Sequence, residues 1–388
     1  LVAASDAPDN DKAGADYICD GISDQEQINL ALASVAEIGK KVVLSRGTFI
    51  VDGSILIGSN DTLEGQGAAT VIQLKYDFAS NIELIKNIDP VFGNTNISIK
   101  NLSILGNDPA LNGVKDGIVF KKVSNSIIDK VSVKTKTYSF WLDSNSINNQ
   151  LLNCTAGGGL YGIRITINST YNLISGCEVS GCGYSGIDLQ SDFCSVIGNK
   201  SNNSMVGHGI YILGSNSIIT GNVFEKNGGD GINCNTDNNT INNNICIRNG
   251  RYGILVGDSN NNIINGNSCL LNDGDGIRIY HSNNNIINGN AVNSNGQKSN
   301  NQHANINLIE GSNYNAIQNN ICRKGTEANK PKYGIRVDLL QTICNGNLIS
   351  NNDCYDSGLT AGISDAGTNT SFGSGNRNND GTWSTTPN

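Results

Sequence analysis

The sequence predicts an all-β solenoid: a single-stranded, right-handed parallel β-helix of about a dozen coils with a short N-terminal capping α-helix. Three observations predict it. A Gly-Ile pair recurs at Gly162, Gly186, Gly209, Gly231, Gly253 and Gly276, in steps of 24, 23, 22, 22 and 23 residues. A fixed period that short belongs to stacked supersecondary units. Each unit opens on apolar alternation at the strand period: Ile163/Ile165, Ile187/Leu189, Ile210/Ile212, Ile232/Cys234, Ile254/Val256 and Ile277/Ile279. A second apolar run, such as Ile218-Ile219 or Ile263-Ile264, ends in Asn at Asn199, Asn222, Asn244, Asn267 and Asn290. Asn tolerates the left-handed backbone of a tight corner, and its amide can bond along a column of like residues. Neither run has helical spacing, and the Leu-rich consensus of a leucine-rich repeat is absent.

Taken in order, residues 1–22 form a polar lead-in. Ser23-Asp24-Gln25-Glu26 reads as a capping box, and Ile28, Leu30, Ala31, Leu32 and Val35 follow at amphipathic spacing. The expected helix, about 23–37, would cover the open apolar end of the solenoid, which otherwise invites edge pairing. Val42-Val43-Leu44 and Thr48-Phe49-Ile50-Val51 start the strands, and Ile97, Ile99, Leu102 and Ile104 continue them. Regular coils begin at Gly117-Ile118. Beyond Asn290 the next corners fall at Asn320 and Asn347, 30 and 27 residues on. The extra residues sit in one slot, 295–303 and 323–332, which predicts loops on one side, often the binding side. The β-helix is expected to run over 23–367, with 368–388 as a polar cap or tail.

The chain has 388 residues, a net charge of −8, 37% hydrophobic residues and 46 Gly. That is long for one compact domain and ordinary for one repeat domain. No stretch of ~18 apolar residues offers a membrane span. The chain starts without Met or a signal peptide, so a mature form, fragment or module is expected. An acidic balance with only 15% charged residues argues against nucleic-acid binding. Of eleven Cys, Cys246, Cys269 and Cys322 each lie two residues after a corner Asn. With no CxxC or His/Cys zinc spacing, the reading favours a stacked row of small buried hydrophobes over inter-coil disulfides or a metal. No cofactor or metal site is assigned; calcium is the one ion left open.

The residue after each inward Ile should point outward. That column holds Val119, Trp141, Arg164, Asp188, Tyr211, Asn233, Leu255, Arg278, Asn307 and Arg336. The residue before the Gly gives a second column: Asp116, Tyr138, Tyr161, Ser185, His208, Asp230, Tyr252, Asp275 and Tyr333. Such columns fit a carbohydrate face, where rings pack on sugars and charged groups fix hydroxyls or carboxylates. Blander readings stand beside this one. His208 is equally a turn residue, Arg164 and Asp188 a cross-strand ion pair, the tyrosines shields for strand starts, and Asp230 and Asp275 turn formers. A basic group, Arg278, Lys298, Arg323, Lys324, Lys330, Lys332 and Arg336, suits an anionic polymer, or is a set of solvated loop cations.

DGISDQEQINLALA, VVLSRGTFIV and LEGQG together resemble the start of the pectate-lyase-like superfamily of right-handed β-helix proteins. That superfamily holds lyases, hydrolases, epimerases, tail spikes and adhesins, so the resemblance implies fold before activity. ISIKNLSILGNDPALNGVKDG resembles the run into the catalytic lysine of mannuronan C5-epimerases, which implies that role for Lys115. One coil later that family has Tyr-Gly-Phe-Asp-Pro-His-Glu. Here the run is Tyr138-Ser139-Phe140-Trp141-Leu142-Asp143-Ser144, which keeps the Tyr and replaces the Asp and His by Trp141 and Asp143. Gly207-His208-Gly209 is similar to the Gly-His-Gly of polygalacturonases, without that family's paired Asp or its Arg-Ile-Lys.

Three functional readings follow. The first is a lyase or epimerase acting on an acidic, uronate polysaccharide. Its catalytic candidates are Lys115, Tyr138, Arg164 and His208, joined by Asp143 and Asp188 of the second reading; the substrate contacts are Trp141, Tyr161, Tyr211, Asp230, Arg278 and Arg336. The second is hydrolysis by Asp188 paired with Asp143 or Asp230. The third is a non-catalytic adhesin, tail spike or coat module, a trimer in the tail-spike case. All three expect an extracellular, cell-surface or virion-surface location and a polysaccharide partner, anionic in the first.

Overall fold

The computed structural model describes residues 1–35, 41–106 and 113–384. The expected helix end at 36–37, residues 107–112 of the epimerase-like run, and the last four residues of the tail lie outside the described residues. The chain forms two compact units, Leu1–Ser195 and Val196–Asn388, and its coils wind in the right-handed sense.

In the first unit, six parallel strands make the front sheet: Ile55–Ile57, Ile82–Asn87, Lys115–Lys121, Tyr138–Asp143, Tyr161–Ile165 and Ile187–Leu189. Register aligns Ile118, Phe140, Ile163 and Ile187, all buried. The helix spans Gln25–Val35 and buries Ile28, Ala31 and Leu32. Its start differs from the expected capping box. Ser23 takes a positive φ of 52° and its side chain bonds to Asp52. Asp24 instead accepts the N–H groups of Gly21 at 2.9 Å and Ile50 at 2.7 Å, tying the helix entry to the first coil.

The second unit has seven front strands, from Ile210–Ile212 to Ala361–Asp365, with Ile210, Ile232, Ile254, Ile277, Ile306, Ile335 and Ile363 in register. All seven are fully buried. The recurring Gly follows from that packing. A Cβ on Gly231 would meet the Gly253 carbonyl at 2.7 Å and the Cys246 Cβ at 2.9 Å. Each coil returns through two short strands, such as Ile218–Thr220 and Val223–Glu225.

Between those strands stands the Asn ladder. Asn244 donates its backbone N–H to the Asn267 Oδ1 at 2.9 Å and its amide to the same oxygen at 3.0 Å and to the Ile219 carbonyl at 2.8 Å. The ladder runs Asn222, Asn244, Asn267, Asn290, Asn320, Asn352 and Asn376. Two details correct the sequence reading. Asn347 belongs to a different column, accepting from Asn315 at 3.2 Å. The left-handed residue is the one before the ladder Asn, as at Asn243 (φ 53°), Gly266 (65°) and Gly289 (64°). A further column, Asn227, Asn249, Asn272 and Asn295, repeats the pattern.

All eleven Cys are free and buried, with Cys246 and Cys269 in register. The region read as a polar cap or tail carries structure. Ser371–Phe372 pairs with Leu348–Ser350, and Asn376–Arg377 pairs antiparallel with Trp383–Ser384.

Candidate functional site

The outward side of the first unit's front sheet gathers Tyr138, Trp141, Tyr161, Arg164 and Asp188. Register sets Tyr138 beside Tyr161, Trp141 beside Arg164, and Arg164 beside Asp188. Tyr138, Tyr161 and Tyr184 follow one another along the coils with centroids 5.8 and 5.7 Å apart, and Trp141, on the same strand as Tyr138, lies 4.9 Å from it. The ring column therefore continues at Tyr184, half exposed at 50%, and not at the buried Ser185 that simple counting selects.

Arg164 lies against this shelf, its guanidinium 5.1 Å from the Tyr138 ring and 5.3 Å from the Tyr161 ring. It donates to the Tyr138 hydroxyl at 2.7 Å and meets the Asp188 carboxylate at 3.1 Å. Asp188 is only 1% exposed. Burial pushes its carboxyl up to about 6, against the opposing pull of Arg164 and Gln190. Burial also raises the Tyr161 phenol, helped by the Asp188 charge. Asp143 accepts from the Thr166 hydroxyl.

Lys115 is the lysine of the epimerase-like run. It is fully buried, and its ammonium donates to the Ser80 carbonyl at 2.6 Å and sits 5.6 Å from the Phe78 ring. Burial, with repulsion from Lys136, lowers its pKa. Val119, placed in the outward column by alternation, is buried too. Beside Trp141 a cleft of about 470 Å³ is lined by Asp52, Phe78, Glu83, Lys86, Val114 and Asp116, among others. Glu83 and Lys86 in that lining were not singled out by the sequence, because the early coils lack the Gly-Ile marker.

In the second unit, His208 and Tyr211 rings lie 5.5 Å apart. His208 Nδ1 accepts the Asp230 N–H at 3.0 Å, and Asp230, fully buried, takes the Asn233 amide at 2.8 Å and the Tyr252 N–H at 3.0 Å. A second group forms around Asp275. It accepts from the Ala304 N–H at 2.8 Å and the Asn307 amide at 3.0 Å, with Arg278 at 3.7 Å and His303 at 3.6 Å. Arg278 bonds to the Tyr252 hydroxyl and lies over that ring at 4.7 Å. Arg336 pairs with Asp338 at 2.6 Å, Arg323 with Asp353 at 2.6 Å, and Lys324 with Asp356 at 2.5 Å. Much of the basic cluster is thus already matched to protein carboxylates.

A family model described as a right-handed beta helix region matches residues 190–300. No curated protein matches the chain by sequence. Solved structures share the fold at low identity. The A-module of the mannuronan C-5 epimerase AlgE6 of Azotobacter vinelandii is 18% identical, covering 90% of this chain and 96% of that one, with a TM-score of 0.63. The Dettilon tailspike protein is 20% identical over 90% and 68% of the two chains, TM-score 0.64. A tailspike mutant of the E. coli bacteriophage HK620, in complex with a hexasaccharide, is 14% identical over 89% and 76%, TM-score 0.65. The chain is therefore a right-handed parallel β-helix. Among its described residues no helix is long and apolar enough to cross a membrane.

Proposed function

We propose that this protein binds a polysaccharide on the outward face of its first unit, at the cell surface, the virion surface or in the extracellular space. The observation that carries the proposal is the run of rings Tyr138, Tyr161 and Tyr184 on successive coils at spacings of 5.7–5.8 Å, with Trp141 beside Tyr138 on the same strand at 4.9 Å. Successive coils repeat every ~4.8 Å, close to the length of one sugar unit, so a glycan laid along the coils meets a new ring at each residue. Sugar C–H faces pack on aromatic carbon while phenol and guanidinium groups meet hydroxyls. Structural likeness to epimerase modules and to a tailspike crystallised with a hexasaccharide supports the same reading. It rests on stacking and not on charge, because Arg164 already faces Asp188. The test is a panel of uronate-containing and neutral oligosaccharides titrated against the protein's Trp fluorescence. Binding with at least a tenfold loss in Trp141→Ala, measured by titration calorimetry because that variant lacks the reporting ring, at an unchanged melting temperature, is the expected result; no binding by any member sinks the proposal.

A lyase or epimerase reading has one contact in its favour, the 2.7 Å donation from Arg164 to the Tyr138 hydroxyl. In that reading the Tyr138 oxygen takes the proton alpha to a uronate carboxylate, beside the Arg164 cation. Incubation with uronate polymers, followed at the ultraviolet absorbance of unsaturated uronates and by the uronate composition, tests it. Neither signal appearing would leave binding alone.

A further inference from the structure

Glu83 and Asp116 face each other in register on adjacent parallel strands, which puts their Cα atoms ~4.8 Å apart. Like charges placed directly opposite in a sheet are destabilising, so a purely structural pair at this position would be unfavourable. The two carboxyls are held differently. Glu83 meets the Lys121 ammonium at 2.6 Å and the Lys86 ammonium at 3.6 Å. Asp116 is 2% exposed; it accepts the Tyr138 N–H at 3.2 Å. Burial raises its pKa, with Thr137 and the Tyr138 N–H pulling the other way and the Glu83 charge adding to the rise. Both line the 470 Å³ cleft, whose wall includes Trp141 and Phe78. One buried carboxyl and one ion-paired carboxyl side by side in a ring-walled cleft suit the two separate roles that glycosidic cleavage needs.

We propose that this cleft hydrolyses a glycosidic bond, with Asp116 as proton donor and Glu83 as nucleophile. The inference rests on the polysaccharide reading above, since the shelf that begins at Trp141 would deliver the chain. Asp116 gives its proton to the glycosidic oxygen as the bond to the anomeric carbon breaks and the new alcohol leaves. A Glu83 oxygen bonds to that carbon. Water then attacks it, releasing Glu83; the water's proton returns to Asp116 and its hydroxyl stays on the sugar. Both side chains come from one pair of adjacent strands, and a covalent route through Glu83 predicts retention at the anomeric carbon.

The experiment uses the full chain and the oligosaccharides bound in the fluorescence panel, with reducing ends counted and the anomer of the fresh product read by NMR. Wild type is expected to cleave with retention. Asp116→Asn and Glu83→Gln should each slow cleavage by at least ~10²-fold while binding stays within about threefold, which also shows that the variants fold. A bound oligosaccharide that wild type leaves intact overturns the inference and spares the binding face. Inversion, or either variant keeping more than a tenth of the rate, overturns the assigned roles. Failure of every oligosaccharide to bind overturns the binding face, and this inference with it.

Discussion

The groups around Arg164 and around Arg278 are built alike and titrate in opposite directions. In each, an arginine reaches a tyrosine hydroxyl from the preceding coil, lies over that ring, and faces a buried aspartate. Asp188 is pushed up to about 6 by burial that Arg164 and Gln190 do not offset. Asp275 is at least as buried, yet it stands below its ordinary value: burial raises it, and His303, Arg278, the Ala304 N–H and the Asn307 amide together outweigh that. The ion pair alone does not decide the charge of a buried carboxyl. The number of donors aimed at it does. Asp275 is therefore a structural anion that organises its neighbours, whereas Asp188 is poised to change protonation near pH 6.

The largest effect that would break this comparison is at Asp275. Asp275→Ala leaves Arg278, His303 and Asn307 without their shared acceptor and should cost about 3–5 kcal/mol, read by urea unfolding at pH 7. A loss below 1 kcal/mol would show that water replaces the carboxylate. Asp188 should differ in sign. Its folded pKa lies above the unfolded value of about 3.9, so the unfolded state releases its proton first as pH rises. Wild type should thus lose stability relative to Asp188→Asn between about pH 4 and 6, by on the order of 2–3 kcal/mol, and hold level above. A flat difference across that window would mean that Asp188 is ionised throughout.

The ladder is the control, since it is polar, buried and uncharged. Asn244→Ala or Asn267→Ala removes a side chain that both donates and accepts within the stack, and should cost ~1–3 kcal/mol at any pH from 5 to 8. Unchanged melting in both variants would show the column to be solvated.

The coils and their Ile and Asn columns were legible because repetition averages out local noise, so six copies of Gly-Ile outweighed any one exception. What repetition did not encode was lost. Val119 was placed on the exposed face by alternation, yet it is buried; Lys115, named by resemblance, lies against Phe78 and the Ser80 carbonyl, contacts made by irregular early coils. Tyr184 was missed because the loop into its strand shifts the ring by one position relative to Tyr138 and Tyr161. Glu83 was missed because its strand carries no Gly-Ile pair. The left-handed corner was assigned one residue late, since the αL position is shared by Gly and Asn along the stack and has no single letter. The Arg164–Asp188 pair could be read, but not the burial that sets its protonation.

The Asn ladder has a direction. Every rung gives its two hydrogens toward the carbonyl groups of its neighbours and takes two on its oxygen, until Asn376 turns its amide to the Ile349 and Gly373 carbonyls. A rung is thus a joint with a fixed thread, identical above and below. Excising the 23 residues from Asn244 up to Asn267 would bring Asn222 onto Asn267 with the same bonds. Removing part of a coil would leave donors facing no acceptor. Length in such a molecule is therefore counted in coils, and its evolution can add or drop them whole without redesigning the ends.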